Sequence, residues 1–392
     1  MRNRQAALRA TAIGLVLVAF AIVLPAQRLQ SLGGRMLPIL LFLATITIVV
    51  NLSDRAGVFR SIARATARVA ENRPLLLWLL ICATAVVSTA FLSLDTTAVL
   101  VTPLAISLVR TNQGDILPAL LAVVWIANIG SMWLPVSNLT NLLAVQSDVF
   151  TSSSHFLNTT GPSAAIGVGL TMIFTYLIFH RRVHSGPTWG DSKGPKSESD
   201  VSSAAHVHPA NRFSALLLAI MLPLLATPVP YWITTTIAAS ILVLVFLRHD
   251  RHAMSIALVP WGVMGYAAAL VAGIEMLHVL GVEEFIQSAF NGEDAEGLLS
   301  LMMAGALSSN IVNNLPAFLL LEPAAGSPVT LTALLIGTNA GPVITPWASL
   351  ATLLWADQIR RAGLVVPWRR FVLCGLALGP LACMGMLLPL LA

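Results

Sequence analysis

A carboxylate set among hydrophobic residues is the first group in this chain with chemistry to do. Asp95 stands in FLSLDTTAVLVTP at 91–103, with Ser93, Thr96 and Thr97 beside it. There it can carry a proton or hold a cation. Keeping it charged at a bilayer centre costs about 2.5–3.5 kcal/mol on insertion scales, so a working role is the default expectation. The alternative is local: an Asp before a helix starting at Thr96 would accept from that helix's orphan N–H groups. A second cluster, Ser308, Ser309, Asn310, Asn313 and Asn314, precedes Pro316 in LSSNIVNNLPAFL at 307–319. Such amides and hydroxyls coordinate small polar solutes or cations, or else hold a hairpin together by interhelical hydrogen bonds of about 0.6 kcal/mol each.

Two further clusters are copies of one another. Residues 128–143 read NIGSMWLPVSNLTNLL and residues 339–354 read NAGPVITPWASLATLL. Without a gap, Asn128 falls on Asn339, Gly130 on Gly341, and Pro135 on Pro346. The first copy carries Asn128, Ser131, Ser137, Asn138, Thr140 and Asn141; the second carries Asn339, Thr345, Ser349 and Thr352. Each interrupts an apolar run. Hydrocarbon offers no water to freed backbone groups, so such breaks survive only where protein or a polar cavity surrounds them. Half-helix ends at a break present partial charges to ions or polar solutes. A matched pair of breaks in two halves points to a transporter's binding site. The candidate substrate- or ion-binding set is therefore Ser93, Asp95, Thr96, Thr97, Asn128, Ser137, Asn138, Asn141, Ser308, Ser309, Asn310, Asn313, Asn314, Asn339, Thr345 and Ser349. Trp133 and Trp347 lie within the breaks and are expected to line the cavity, and most tryptophans are expected to anchor at the membrane interfaces.

The elements that must position these groups are membrane helices. The 392 residues are 57% hydrophobic and only 10% charged, where a soluble domain carries roughly 25% charged residues. Mean hydropathy is +0.83. Apolar segments fall near 11–26, 36–52, 75–92, 96–109, 116–146, 163–180, 213–228, 231–247, 253–274, 298–321, 329–356 and 371–391. The N-terminal segment resembles a signal peptide but is read as a retained first span, because the repeat needs it. Several segments are too short to cross alone, since a span needs roughly 20 apolar residues. The spans 75–109 and 298–321 are read as re-entrant hairpins, and 116–146 and 329–356 as broken helices. With the N-terminus inside, 20 of the 22 lysines and arginines fall in inner loops, leaving Arg28 and Arg35 outside, as the positive-inside rule requires.

The expected fold is all-α and polytopic, with two inverted-topology repeats, about nine crossings and two hairpins. The halves are 1–182 and 213–392, and the polar stretch 183–212 is a cytoplasmic linker. A surface helix at 54–73, with Arg60, Arg64 and Arg68 at i, i+4 and i+8, lies on the anionic inner leaflet. Its acidic partner, about 276–296, lies outside. The C-terminus is also outside.

Other chemistries are poorly represented. No GxxxxGK[ST], HExxH or GxSxG motif occurs, so no enzyme activity and no cofactor is expected. Basic residues spread over short loops give no nucleic-acid surface. Cys82, Cys374 and Cys383 lack CxxC spacing and read as small buried hydrophobes. His206 and His208 read as solvated linker side chains rather than metal ligands.

The four stretches FLSLDTTAVLVTP (91–103), WIANIGSMWLPVSNLTNLL (125–143), LSSNIVNNLPAFL (307–319) and GPVITPWASLATLLW (341–355) resemble the arsenite permeases (ArsB type) of the ion-transporter superfamily. That superfamily also includes NhaD-type sodium/proton antiporters and citrate and dicarboxylate symporters. The resemblance implies a bacterial plasma-membrane transporter exporting arsenous or antimonous acid by proton antiport, with a possible cytoplasmic ATPase partner. Asp95 matches the family's acidic hairpin residue. The chain departs from the family at Asn128 and Asn339, where those permeases often carry acidic residues. A carboxylate symporter and a Na⁺/H⁺ antiporter are the alternatives within the superfamily.

Overall fold

The computed structural model describes residues 26–70, 73–111, 114–147, 149–183, 209–290 and 292–391. The first apolar segment, 11–26, therefore lies outside the described residues except for its last position, as do linker residues 184–208 with His206 and His208. Among the described residues every regular element is helical.

Helix α1, Ala26–Arg55, runs through thirty residues. It begins ten residues before the apolar segment expected at 36–52, so Arg28 and Arg35 are helical rather than part of an outer loop. Gly57, at φ 82°, turns the chain into α2, Val58–Val69, the expected surface helix. Then come α3, Pro74–Leu92, and α4, Leu94–Thr111, which form the first hairpin. The first broken helix is α5, Ile116–Ile129, and α6, Leu139–Val145. Asp115 caps α5 by accepting from Leu117 N at 3.0 Å. A long helix, α7, Ser153–Val183, closes this half.

The second half opens with α8, Asn211–Leu224, and α9, Tyr231–His249. Helix α10, Trp261–Leu277, passes through a π-helical turn at His278–Val282 into α11, Glu283–Ala289. The acidic surface segment expected at 276–296 is thus partly a continuation of the preceding span, bent at Gly281 (φ 95°). The second hairpin is α12, Ala295–Val312, with α13, Asn314–Leu321. The second broken helix is α14, Pro328–Ala340, with α15, Leu350–Arg361, and the last helix is α16, Trp368–Leu387. A reciprocal capping box of Ser327 and Thr330 starts α14 behind Pro328 at its first position, an arrangement that satisfies two orphan N–H groups at once.

By length and composition, seven described helices can cross a membrane, and three shorter apolar helices accompany them. One arm of each hairpin, α3 and α12, is in that set. In both hairpins the chain breaks between helices at a residue of positive φ, Ser93 and Asn313.

Contacts at the helix ends define two faces. On one, Arg55 Nη1 donates to Ala253 O at 2.8 Å, Arg110 Nη2 to Ala362 O at 3.4 Å, and Arg182 pairs with Asp115 at 2.9 Å. The open end of the first hairpin lies there. On the other face, at the start of α1, Arg28 pairs with Glu275 at 2.9 Å and Glu283 at 3.4 Å, and Arg35 pairs with Glu322. Helix α13 of the second hairpin ends here, just before Glu322.

Helices α3–α7 and α12–α16 pack around the two breaks as one body; α1 packs on α9, α8 and α10 as a flanking bundle. Close approach inside the body needs glycine at position 337, where a Cβ would stand 2.1 Å from Met302 O. Trp125 and Trp355 are fully buried here. Trp355 Nε1 donates to Leu120 O at 2.9 Å, and both rings pack on Phe371. Interface anchoring, expected for most tryptophans, does not describe these two; each fills space between broken helix and last span.

Candidate functional site

The two hairpin tips share an unusual backbone. Ser93 sits at φ 97°, ψ 158° and Asn313 at φ 128°, ψ 157°. This region of conformational space is nearly confined to glycine and costs of order 1–3 kcal/mol for other residues. They are the only non-glycine residues with positive φ among those described. Each also caps the helix that follows: Ser93 Oγ accepts from Thr96 N at 3.3 Å and Asn313 Oδ1 from Leu315 N at 3.3 Å. The side-chain cap partly offsets the strain and holds the reversal.

That geometry overturns one alternative for Asp95. Helix α4 starts at Leu94, not Thr96, and its cap is Ser93. Asp95 Oδ1 is buried with no hydrogen-bond partner. Two residues beyond the Ser93 reversal, Asp95 occupies the place that Leu315 holds beyond Asn313. The two hairpins therefore share a backbone and differ in charge.

The breaks interlock across the halves. Asn339 Oδ1 accepts from Asn138 Nδ2 at 3.0 Å and Thr140 Oγ1 at 2.8 Å, while Asn339 Nδ2 donates to Asn141 Oδ1 at 2.8 Å. In the aligned copies, Asn141 corresponds to Thr352. Correspondingly, Asn128 Nδ2 reaches Thr352 Oγ1, at 3.4 Å, besides its own-helix Val124 O at 2.8 Å. The same cross-contact is thus made twice, tightly on one side and loosely on the other. Asn141 Nδ2 also ties down the unwound strand through Ser131 O at 2.6 Å and Leu134 O at 3.1 Å.

Each tip is tied to the break of its own half. Ser137 Oγ donates to Ala90 O at 2.9 Å. Asn310 Nδ2 donates to Gly341 O at 2.9 Å, and its Oδ1 accepts from Thr345 N at 3.0 Å. Asn313 Nδ2 donates to Trp347 O at 2.9 Å. Tips and breaks are therefore one hydrogen-bonded unit.

A cavity of about 390 Å³ opens where this unit meets α1 and α10. Seven of the sixteen candidate residues line it: Ser93, Asp95, Thr96, Asn138, Asn313, Asn314 and Ser349. Ser349 Oγ, like Asp95 Oδ1, is buried without a partner. The remaining nine do not line it. Thr97 bonds Ser88 Oγ and Ser93 O at 3.0 Å each; Ser308 and Ser309 bond Ala304 O and Gly305 O of their own helix. Asn128, Ser137, Asn141, Asn310, Asn339 and Thr345 make the interlocks just described. They hold the wall rather than form it. Neither tryptophan of the breaks lines the cavity: Trp347 Nε1 donates to Asn310 O at 3.0 Å, and Trp133 Nε1 is buried unpaired. The duplicated motifs did not identify Thr47 and Asn51 of α1 or Tyr266 of α10, which complete the wall. The available signal was a Thr and an Asn inside the apolar run TITIVVNL at 45–52.

A larger cavity, about 690 Å³, lies on the Arg28 face and is lined by Arg28, Arg35, Glu275, His278, Glu283 and Glu322. Its charges are largely paired with one another. The smaller cavity is the candidate site because both tips and both breaks converge on it.

The CitMHS family model, described as citrate transporter, matches residues 2–351. The chain belongs to that family. It is also similar to the arsenical pump membrane protein of Escherichia coli strain K12, at 25% identity over 357 residues, 86% of this chain and 81% of the relative. The arsenical pump membrane protein of Yersinia enterocolitica gives the same identity and coverage. The crystal structure of the Alcanivorax borkumensis YdaH transporter superposes with a TM-score of 0.56 at 15% identity, over 98% of this chain and 96% of that one. At that identity the likeness bears on the fold, which is shared. The CitMHS chain is thus a multi-pass membrane protein and a secondary transporter.

Proposed function

We propose that this CitMHS transporter exports arsenite or antimonite, as neutral trihydroxides, in exchange for protons. The supporting observation is Asp95, which among the described residues is the one charged side chain on the cavity wall, with an unpaired oxygen and no Lys or Arg beside it in that wall. An ionised Asp95 about 5 Å from an anion would repel it by roughly 3 kcal/mol at an effective dielectric of 20. A neutral trihydroxide needs hydrogen-bond partners alone, which Ser93, Thr96, Asn138, Asn314 and Ser349 supply. The arsenical pump relatives give independent support.

In this reading Asp95 takes a proton from one side, the hydrogen-bonded unit shifts against the flanking bundle, and substrate leaves as the proton passes inward. The membrane potential adds about 2.3 kcal/mol per charge per 100 mV to that inward step. The two halves, 1–182 and 213–392, would be the two walls of one site. In this reading the N-terminus lies in the cytoplasm of a bacterial cell and the C-terminus outside, the orientation that the positive-inside rule supports. A soluble ATPase on the cytoplasmic face would be an accessory partner.

Arsenite efflux from everted vesicles tests the reading: Asp95→Asn should abolish the proton dependence, and unchanged proton-dependent flux would remove Asp95 from the mechanism. The family's citrate description favours a second reading, carboxylate symport. Expression in a host without arsenite efflux separates the two, with growth on arsenite set against citrate uptake.

A further inference from the structure

The candidate cavity lies on a seam between two bodies, so reaching it from alternate sides requires the bodies to part along that seam. Three hydrogen bonds cross the seam on the Arg28 face. Arg35 of α1 donates to Glu322, which follows the second hairpin, and to Leu143 O at the end of α6, at 2.9 Å. Gln146 Nε2, just beyond α6, donates to the Tyr231 hydroxyl of α9 at 2.8 Å. Arg35 therefore clamps a hairpin and a half-helix of the site-bearing body to the flanking bundle with one guanidinium.

We propose that Arg35 and Glu322 form a proton-released latch: it holds the seam shut on this face while Glu322 is ionised and frees the site-bearing body when Glu322 takes a proton. The pair is partly buried, its side chains 24% and 12% exposed, and removing one charge leaves the other unpaired in a partly desolvated setting, which is costly. Protonation leaves Arg35 with the neutral acceptor Leu143 O, which any moving body can exchange for water in the adjoining 690 Å³ cavity. The groups facing Glu322 are Arg35 and Arg28 from α1, Glu275 from α10, His278 in the π-helical turn and Glu283 from α11. Burial pushes the Glu322 carboxyl above the usual glutamate range; the Arg35 charge opposes this and nearby Glu275 reinforces it. The sign is therefore fixed: the latch is closed at high pH and opens as pH falls through the Glu322 transition.

The inference rests on the proposed proton coupling, and its test uses a readout that needs no substrate. Val263 lines the cavity on α10, and Val263→Cys in a Cys374→Ala background gives one accessible thiol in the reconstituted full chain. Maleimide labelling of that thiol should rise several-fold as the pH is lowered through the Glu322 transition, which burial places above the usual glutamate range. Glu322→Gln and Arg35→Gln should each show the low-pH rate throughout, whereas Glu322→Asp should retain a pH transition and so report on folding. The transition should persist in Asp95→Asn, which separates the latch from the site carboxylate. A Glu322→Gln protein that labels as the parent does, with its pH response intact, would overturn the latch. Absence of arsenite flux in the parent protein, with its labelling response intact, would instead count against the proposed cargo and leave the latch standing.

Discussion

Asn128 and Asn339 are equivalent in the duplicated sequence, yet the structure makes their replacement unequal. Asn339→Ala removes three side-chain hydrogen bonds, to Asn138, Thr140 and Asn141, all between 2.8 and 3.0 Å. At about 0.6 kcal/mol each in a membrane interior, that is roughly 2 kcal/mol. The loss also strips the buried Thr140 hydroxyl and the Asn141 carbonyl oxygen of this partner, and orphaned polar groups add about 1–3 kcal/mol each. Asn128→Ala removes one bond to a carbonyl of its own helix and one 3.4 Å contact with Thr352. The first carbonyl keeps its helical partner and the second contact is near the limit of a hydrogen bond, so the cost is about 1 kcal/mol or less. The expected order is Asn339→Ala worse than Asn128→Ala by at least about 1 kcal/mol, measured by unfolding the reconstituted protein in a detergent titration. A double-mutant cycle should give clear coupling for Asn339 with Asn141 and weak coupling for Asn128 with Thr352. Equal losses, or a larger loss at Asn128, would refute the asymmetric interlock.

Further substitutions at three places are expected to shift stability in the same assay. Gly337→Ala would force a Cβ to within 2.1 Å of the Met302 carbonyl, a backbone atom with nowhere to go, and should cost at least 1–3 kcal/mol as overpacking does; Gly33→Ala, with nothing within 4 Å of its added Cβ, should instead stabilise α1 by up to about 1 kcal/mol. Ser93→Gly should raise stability by about 1 kcal/mol, because relief of the left-handed backbone exceeds the few tenths lost with the cap, while transport measured in vesicles falls. Asp115→Ala should cost at least about 2 kcal/mol, roughly 1 for the α5 cap and roughly 1 or more for the pair with Arg182, in which the Asp115 carboxylate is buried, and Asp115→Asn should recover the cap's share.

Class and broad layout were legible in the residues alone, because both follow from local rules. Hydrocarbon tolerates a polar break only where something encloses it, so the two copies around Asn128 and Asn339 announced themselves without coordinates. The chain reversal between the first pair of apolar runs was legible too, since only Ser93, Leu94 and Asp95 separate them. The strained reversal at Ser93 was not legible: Asn313 has a different side chain and gives the same backbone, so it emerges only from helices packed on both sides. Composition likewise could not divide the polar residues into wall and buttress. Asn138 and Asn141 are three residues apart in one motif, yet one reaches the cavity and the other binds an unwound strand. Both bond Asn339 of the other half, and what separates them is that folding brings the Ser131 and Leu134 carbonyls to the Asn141 amide. Arg35 is the clearest case. Counting charges made it an outer-loop residue, and only the folded chain sets it against Glu322, 287 positions away. Polarity and periodicity are properties of neighbours in sequence, and they determined that this chain is a membrane transporter with a polar heart. Pairing is a property of neighbours in space, and it decided which residues line the cavity, which hold its walls, and which clamp the seam beside it.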